Sequence, residues 1–257
     1  MLQEARSRGA ERAVITGGGE PGMLRPERLE KLIELSASVF GKVVLISNGY
    51  RWGRMDSTHR IDALRRLHAA GLSILAISRH HYSRDGNKRI MHLETQSEEL
   101  SESWSMHRDE LNGLEMRWIC VLQRGGVDTV RELNRYIDWA AATEVGQVCF
   151  KELYVSASIE SEYYQEHSNE WSYANQVPLR IVLEAAEQEG WQKAEPLPWG
   201  APIFKVKRGD NEVKVAAYTE PSVCWERQNG LCRSWNLMSD GRCLASLEDR
   251  NSLVLPE

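Results

Sequence analysis

Ile15-Thr16-Gly17-Gly18-Gly19-Glu20-Pro21 is the stretch whose reading decides the fold. A short run of strand-forming residues, Ala13 to Thr16, stops at three consecutive glycines, a carboxylate and a proline. Glycine takes positive φ without strain and lets a ligand come close to the backbone. Proline sets the exit direction and removes an N–H. Pro26 and Glu27 then suit the first turn of a helix, and Leu29, Leu32, Ile33 and Phe40 follow at helical spacing. Strand, glycine turn and helix together predict a turn built around a small molecule.

Working outward, the same unit recurs. Lys42–Ser47 is a near-continuous apolar run, as expected of a strand buried on both faces. It ends in Asn48-Gly49, and Asp56 or Ser57 suits the cap of the next helix. Leu72–Ser78 predicts a third strand, Met116–Gln123 a fourth and Gln147–Leu153 a fifth. Helices are expected around residues 87–100 and 105–111, and from Thr129 to about Ala141. Alternating strands and helices predict an α/β fold with a parallel sheet, a partial (β/α) barrel of the TIM type. In such sheets ligands bind at the carboxyl ends of the strands. Those ends carry Gly17–Pro21, Ser47-Asn48, Ser78-Arg79, Gln123 and Lys151-Glu152.

Beyond residue 155 the texture changes. Residues 156–176 are polar and aromatic, and Leu179, Val182, Leu183 and Ala186 predict one more helix. Arg208-Gly209-Asp210-Asn211 between two apolar runs signals a hairpin, and Ser239-Asp240-Gly241 a second. A boundary is expected near residue 195, giving a barrel over 1–195 and a small hairpin extension over 196–257.

The net charge of −5 leaves no basic footprint for nucleic acid. No run of about 18 apolar residues predicts a membrane span, and the first dozen residues lack the apolar core of a secretory signal. Five cysteines do not read as a disulfide framework, so a reducing cytoplasm is the expected location.

Gly18-Gly19-Glu20-Pro21 at a strand end, with Ile46-Ser47-Asn48-Gly49, Ile77-Ser78 and Cys120-Val121-Leu122-Gln123 at later ones, resembles the radical S-adenosylmethionine superfamily. The likeness covers roughly residues 10–155. Cys232, Asn236-Leu237, Asp240-Gly241 and Cys243 are weakly similar to the twitch-type extension of molybdenum-cofactor biosynthesis protein A. The resemblance implies S-adenosylmethionine and a [4Fe-4S] cluster as cofactors, and an electron donor as a partner of an active enzyme. It implies that the backbone of Gly18, Gly19 and Pro21 meets the methionine amino group, with Glu20 supplying negative charge beside it. Ser78 and Arg79 stand where ribose and carboxylate are contacted. Asn48 and Gln123 complete the expected cofactor set.

The family's hallmark, C-x3-C-x2-C upstream of the glycine turn, does not occur in this sequence. Two explanations are open. One is a chain truncated before the cluster loop, the expectation favoured by a first dozen residues that read as half a helix. The other is a degenerate relative.

Several residues carry two readings. Asn48 is also a plain turn-former, Arg79 could make a salt bridge, and a Lys151–Glu152 pair at a rim can be structural. His80, His81, Tyr82 and Glu152 are expected substrate contacts, against a solvated loop. Cys120 and Cys149, inside apolar strands, read as small buried hydrophobes. Cys224, Cys232 and Cys243, spaced C-x7-C-x10-C, suggest an auxiliary Fe–S site or ordinary thiols. The spacing fits no compact zinc motif well.

The leading expectation is therefore a radical S-adenosylmethionine enzyme, or a fragment of one, acting on a small-molecule or peptide substrate. The alternative is a non-catalytic scaffold that binds a peptide or protein. A Schiff-base lyase or aldolase using Lys151 is a third.

Overall fold

A computed structural model describes residues 1–156, 158–220, 223–230, 232 and 234–254. The strands are β1 (Ala13–Ile15), β2 (Val43–Ser47), β3 (Ile74–Ser78), β4 (Glu115–Leu122), β5 (Gln147–Glu152), β6 (Gln192–Lys193), β7 (Ile203–Arg208), β8 (Asn211–Ala217), β9 (Asn236–Leu237) and β10 (Cys243–Leu244). The helices are α1 (Leu2–Ser7), α2 (Pro26–Ala37), α3 (Tyr50–Gly53), α4 (Ser57–Ala69), α5 (Arg84–Met91), α6 (Ser97–Met106), α7 (Val130–Ala142), α8 (Glu166–Asn175), α9 (Arg180–Glu189) and α10 (Val223–Asn229).

Strands β1 to β5 lie side by side in chain order, all parallel. Each strand-helix unit advances by one strand, which is how a (β/α) barrel winds and not how a doubly wound sheet does. The sheet runs β1-β2-β3-β4-β5-β8-β7-β6, and no pairing joins β6 to β1 among the described residues. The expected partial barrel is therefore observed. A separate two-stranded antiparallel sheet, β9 with β10, forms around Ser239-Asp240-Gly241.

The hairpin at Arg208–Asn211 also forms, with β7 and β8 antiparallel from Ile203↔Ala216 to Arg208↔Asn211. Its second strand lies parallel to β5, Gln147 opposite Lys214. The main sheet thus runs on past residue 195, through residues assigned from sequence to the extension. Because β8 runs the same way as β5, the hairpin turn sits at the amino-end rim.

Side chains alternate across the strands. Val43, Leu45, Leu75, Ile77, Met116, Trp118, Cys120, Leu122, Val148 and Phe150 pack under the helices with Ile33, Leu64, Leu133 and Ile137. The opposite face carries a smaller cluster of Val44, Ile74, Ala76, Ile119 and Cys149. Burial on both faces explains the unbroken apolar runs of β2 and β3. Cys120 and Cys149 are both buried and free, and loss of water raises both thiol pKa values. The reading of these two as small hydrophobes is consistent with that placement.

The interval between β3 and β4 departs from expectation. Two helices form, but the break falls at residues 92–96, inside the stretch read as one helix. His92 ends α5 at φ 51° and Gln96 precedes α6 at φ 50°. Both take the left-handed conformation, which interrupts helical hydrogen bonding.

Candidate functional site at the carboxyl ends of the strands

Gly17, Gly18 and Gly19 take φ of 68°, 65° and 125°. All three are positive, so a side chain at any of them would strain the backbone. The three glycines are exposed, and space beside Gly18 and Gly19 is open. Pro21–Met23 then forms a single 3-10 turn capped by Glu20.

Glu20 joins two strand ends. Its Oε1 accepts from the Gly22 amide at 2.7 Å and from the Ser47 hydroxyl at 2.5 Å. Its Oε2 accepts from the Asn48 amide at 2.8 Å. The Ser47 hydroxyl accepts in turn from the Gly49 amide, and Asn48 Oδ1 accepts from the Tyr50 amide at 2.8 Å. Gly49, at φ 73°, lets the chain turn into α3. An ionised carboxylate has about four lone-pair directions, so three internal bonds leave roughly one on Oε2. The carboxylate thus holds the glycine turn against β2 and keeps its charge beside it.

Arg79 takes the second of its two readings, a salt bridge, and the ligand-contact reading is corrected. It is only 1% exposed. Its Nε donates to the His81 carbonyl, its Nη1 to Ser97 Oγ and Glu98 Oε2, and its Nη2 to the Tyr82 carbonyl and Glu98 Oε1. These bonds use all five guanidinium N–H groups. None is left for a ligand carboxylate. The Tyr136 hydroxyl closes the arrangement by donating to the Arg79 carbonyl at 2.7 Å.

The following residues are similarly engaged. His80 Nδ1 accepts from the Val121 amide at 3.1 Å, extending the edge of β4 with a side chain. Burial pushes its pKa down to about 4, so it is a neutral acceptor. His81 is buried, accepts at Nδ1 from the Ser83 amide and stacks on Tyr82 with ring centroids 4.4 Å apart. Burial lowers its pKa as well. The Tyr82 hydroxyl donates to Glu132 Oε2 at 2.8 Å. Glu152 Oε1 accepts from the Leu179 amide at 2.7 Å, at the start of α9. Lys151 lies 4.4 Å from the centre of the Tyr218 ring and 3.9 Å from Glu220. Each of these side chains thus has a partner within the protein, as Asn48 has in the Tyr50 amide, and Asn48, Ser78 and Gln123 are half-buried at the strand ends.

Residues 158–163 add a feature beside the glycine turn. The Tyr163 hydroxyl lies 3.7 Å from where a Cβ on Gly17 would stand. Aromatic content marked this segment, but nothing in its spacing pointed to the glycine turn.

The cysteines do not supply a cluster loop beside that turn. Cys120 and Cys149 are buried within strands, Cys232 is exposed, and Cys243 is buried in the small hairpin. The Cys232 thiol lies 3.2 Å from both the Ser234 and the Ala245 carbonyl and can donate its one S–H to either. The Cys224 side chain lies outside the described residues. Among the described residues no group of three or more His, Cys, Asp or Glu is placed to hold a metal ion. A [4Fe-4S] cluster at the glycine turn therefore does not fit the residues described, since such a cluster is held by thiolates.

At the opposite rim a recess of about 320 Å³ is lined by Arg108, Glu115, Glu144, Gln147, Glu212 and Lys214, among others. Its charges are mixed, and it lies at the amino ends of the strands, away from the glycine turn.

No protein-family model matches the sequence, and no curated protein matches it. Solved structures do. Coproporphyrinogen III oxidase (HemN) from Escherichia coli, described as a radical SAM enzyme, aligns with a TM-score of 0.44 and 16% identity over 74% of this chain and 45% of HemN. The chain spans under half the length of HemN. A domain of pyruvate-formate lyase-activating enzyme from Bacteroides vulgatus aligns at 0.41 and 9% identity, over 69% of this chain and 96% of that one. HMG-CoA lyase from Brucella melitensis aligns at 0.34 and 10% identity, over 70% and 92%. These likenesses concern the fold. No helix among the described residues is long and apolar enough to cross a membrane.

Proposed function

We propose that the carboxyl-end rim binds S-adenosylmethionine, and that the chain is the cofactor-holding part of a radical S-adenosylmethionine enzyme. The observation that carries this reading is the glycine turn. Three consecutive residues at positive φ are held open by a carboxylate bonded to the next strand end. A simple strand-to-helix connection needs neither the third glycine nor the clamp. The exposed backbone suits a ligand ammonium and carboxylate, and Asn48, Ser78 and Gln123 offer polar contacts around it.

The chemistry of such an enzyme also needs an iron–sulfur cluster, and the described residues do not provide its ligands. Hydrogen abstraction is therefore not assigned to these residues. The auxiliary cluster expected on Cys224, Cys232 and Cys243 stays a proposal that turns on the Cys224 side chain. Iron and sulfide analysis after anaerobic reconstitution tests it.

Equilibrium dialysis with labelled S-adenosylmethionine tests the cofactor reading. Saturable binding near one equivalent, lost in Gly18→Val, is expected. Absence of saturation at about millimolar ligand would count against it, being weaker than the ~4 kcal/mol that a millimolar Kd represents.

The second reading is a scaffold that binds peptide. Helix α8 favours it: none of its residues is buried, and Trp171 and Tyr173 are 49% and 76% exposed. Loss of a captured peptide on Trp171→Ala, with no cofactor binding by the wild type, would favour this reading over the first.

A further inference from the structure

We infer that the C-terminal segment from Arg242 to Ser252 is a strap that positions Tyr163 over the glycine turn, where its phenol contacts the polar end of the bound ligand. The ligand contact rests on the cofactor reading above; the strap does not.

Two sets of contacts carry the inference. The first places Tyr163 at the turn. Its hydroxyl lies 3.7 Å from the Cβ position of Gly17, and the side chain is 49% exposed, so one face is open to a ligand. Arg79 has no N–H left for a ligand carboxylate, which leaves a donor role at this rim to other groups. A tyrosine hydroxyl both donates and accepts.

The second set fixes the segment that bears Tyr163. Arg250 Nη2 donates to the Ile159 and Ser161 carbonyls at 2.9 and 3.1 Å, and its own amide donates to the Glu160 carbonyl at 2.8 Å. The Glu162 amide donates to the Leu247 carbonyl at 2.9 Å. Arg242 forms a two-bond pair with Glu162, Nη2 to Oε1 at 2.8 Å and Nη1 to Oε2 at 3.3 Å. Ser161, with no exposed surface, donates to the Leu247 carbonyl and shares a hydrogen bond with the Tyr154 hydroxyl at 2.8 Å. Residues 159–162 form no helix or strand, so these bonds to a segment some 90 positions away replace regular pairing. The Tyr154 ring then meets the Tyr163 ring edge-on at 6.3 Å. A loop held by a guanidinium on successive carbonyls is rigid at small cost in its own sequence, because one planar fork satisfies several acceptors.

Hydrogen exchange read by mass spectrometry tests the strap without ligand. In Arg250→Ala, peptides covering 158–163 and 16–22 should exchange faster than wild type, with α7 unchanged. Arg242→Gln, which removes the Glu162 and Asp240 pairs at the near end of the strap, should do the same more weakly and guards against a variant that fails to fold. Unchanged exchange at 158–163 in both variants overturns the strap. Equilibrium dialysis with S-adenosylmethionine tests the contact. Tyr163→Phe should weaken binding about tenfold, the effect of one lost hydrogen bond. Wild-type affinity in both Tyr163→Phe and Tyr163→Ala overturns the contact and leaves the cofactor reading standing. No saturable binding by wild type overturns that reading and the contact together, while the exchange result still decides the strap.

Discussion

Ser47 Oγ donates to Glu20 Oε1 at 2.5 Å, so the carboxyl ends of β1 and β2 are joined by a side-chain hydrogen bond beyond their backbone ladder. That ladder is short, three residue pairs from Ala13↔Val43 to Ile15↔Leu45. An edge strand of this length makes few hydrogen bonds, so the carboxylate sets where the glycine turn lies. In Glu20→Gln the new amide NH2 must face a backbone N–H or the Ser47 hydroxyl. A loss of about 1–3 kcal/mol is expected, the cost of an unsatisfied polar group at a partly buried site. Urea unfolding of wild type and variant measures it, and equal midpoints would remove Glu20 from this role.

The Arg79–Glu98 pair makes a second prediction. Removing Glu98 leaves a guanidinium buried and without its counter-charge. Glu98→Ala should cost about 3–5 kcal/mol, and Arg79→Lys a sizeable part of that, because one ammonium cannot reach five acceptors in a plane. Thermal melts report both. A melt of Arg79→Lys within a degree of wild type would return Arg79 to the list of ligand contacts.

Gly53 has no room for a side chain. A Cβ there would stand 2.1 Å from the Thr95 carbonyl oxygen and 2.6 Å from that of Gln96. Both are backbone atoms at the entry to α6 and cannot swing aside. Gly53→Ala should therefore destabilise the protein by about 1–3 kcal/mol or more. Far-ultraviolet circular dichroism during urea titration checks the result against Gly18→Ala, where the surroundings are open and the strain comes from the backbone alone.

His80 gives the molecule a pH dependence. The native imidazole stays neutral down to a pH of about 4, whereas the unfolded chain protonates near the ordinary value of 6.5. Between those values the unfolded chain binds the additional proton, so stability falls as pH is lowered through that window. The loss is roughly 2–3 kcal/mol by pH 4, with His81 acting in the same direction. Urea midpoints at several pH values should show the decline in wild type and a shallower one in His80→Gln. Parallel curves for the two proteins would show that His80 does not carry the effect.

The sheet was legible because its strands are buried on both faces. β2 and β3 are unbroken apolar runs, and each predicted strand end meets a glycine or polar residue near the observed end. The positive φ of His92 and Gln96 had no such sign, since neither residue type announces that conformation. The two readings of Arg79 could not be told apart in sequence because its partner Glu98 lies on another element, and linear spacing does not reveal a pair across a helix break. Gly209-Asp210 announced β7 and β8 as partners but not the strand they would join, because a hairpin signal concerns only its own two strands. The glycine turn was visible as a motif, whereas its clamp needed Ser47 and Asn48 placed beside it in space.

One of these features has a practical use. The Gly209-Asp210 turn projects from the end of the barrel remote from Gly17, on exposed residues with open space around Gly209. It is thus a natural attachment point for a fluorophore, a surface tether or a fused domain. A probe there can report on the whole protein while the mouth of the barrel stays unobstructed.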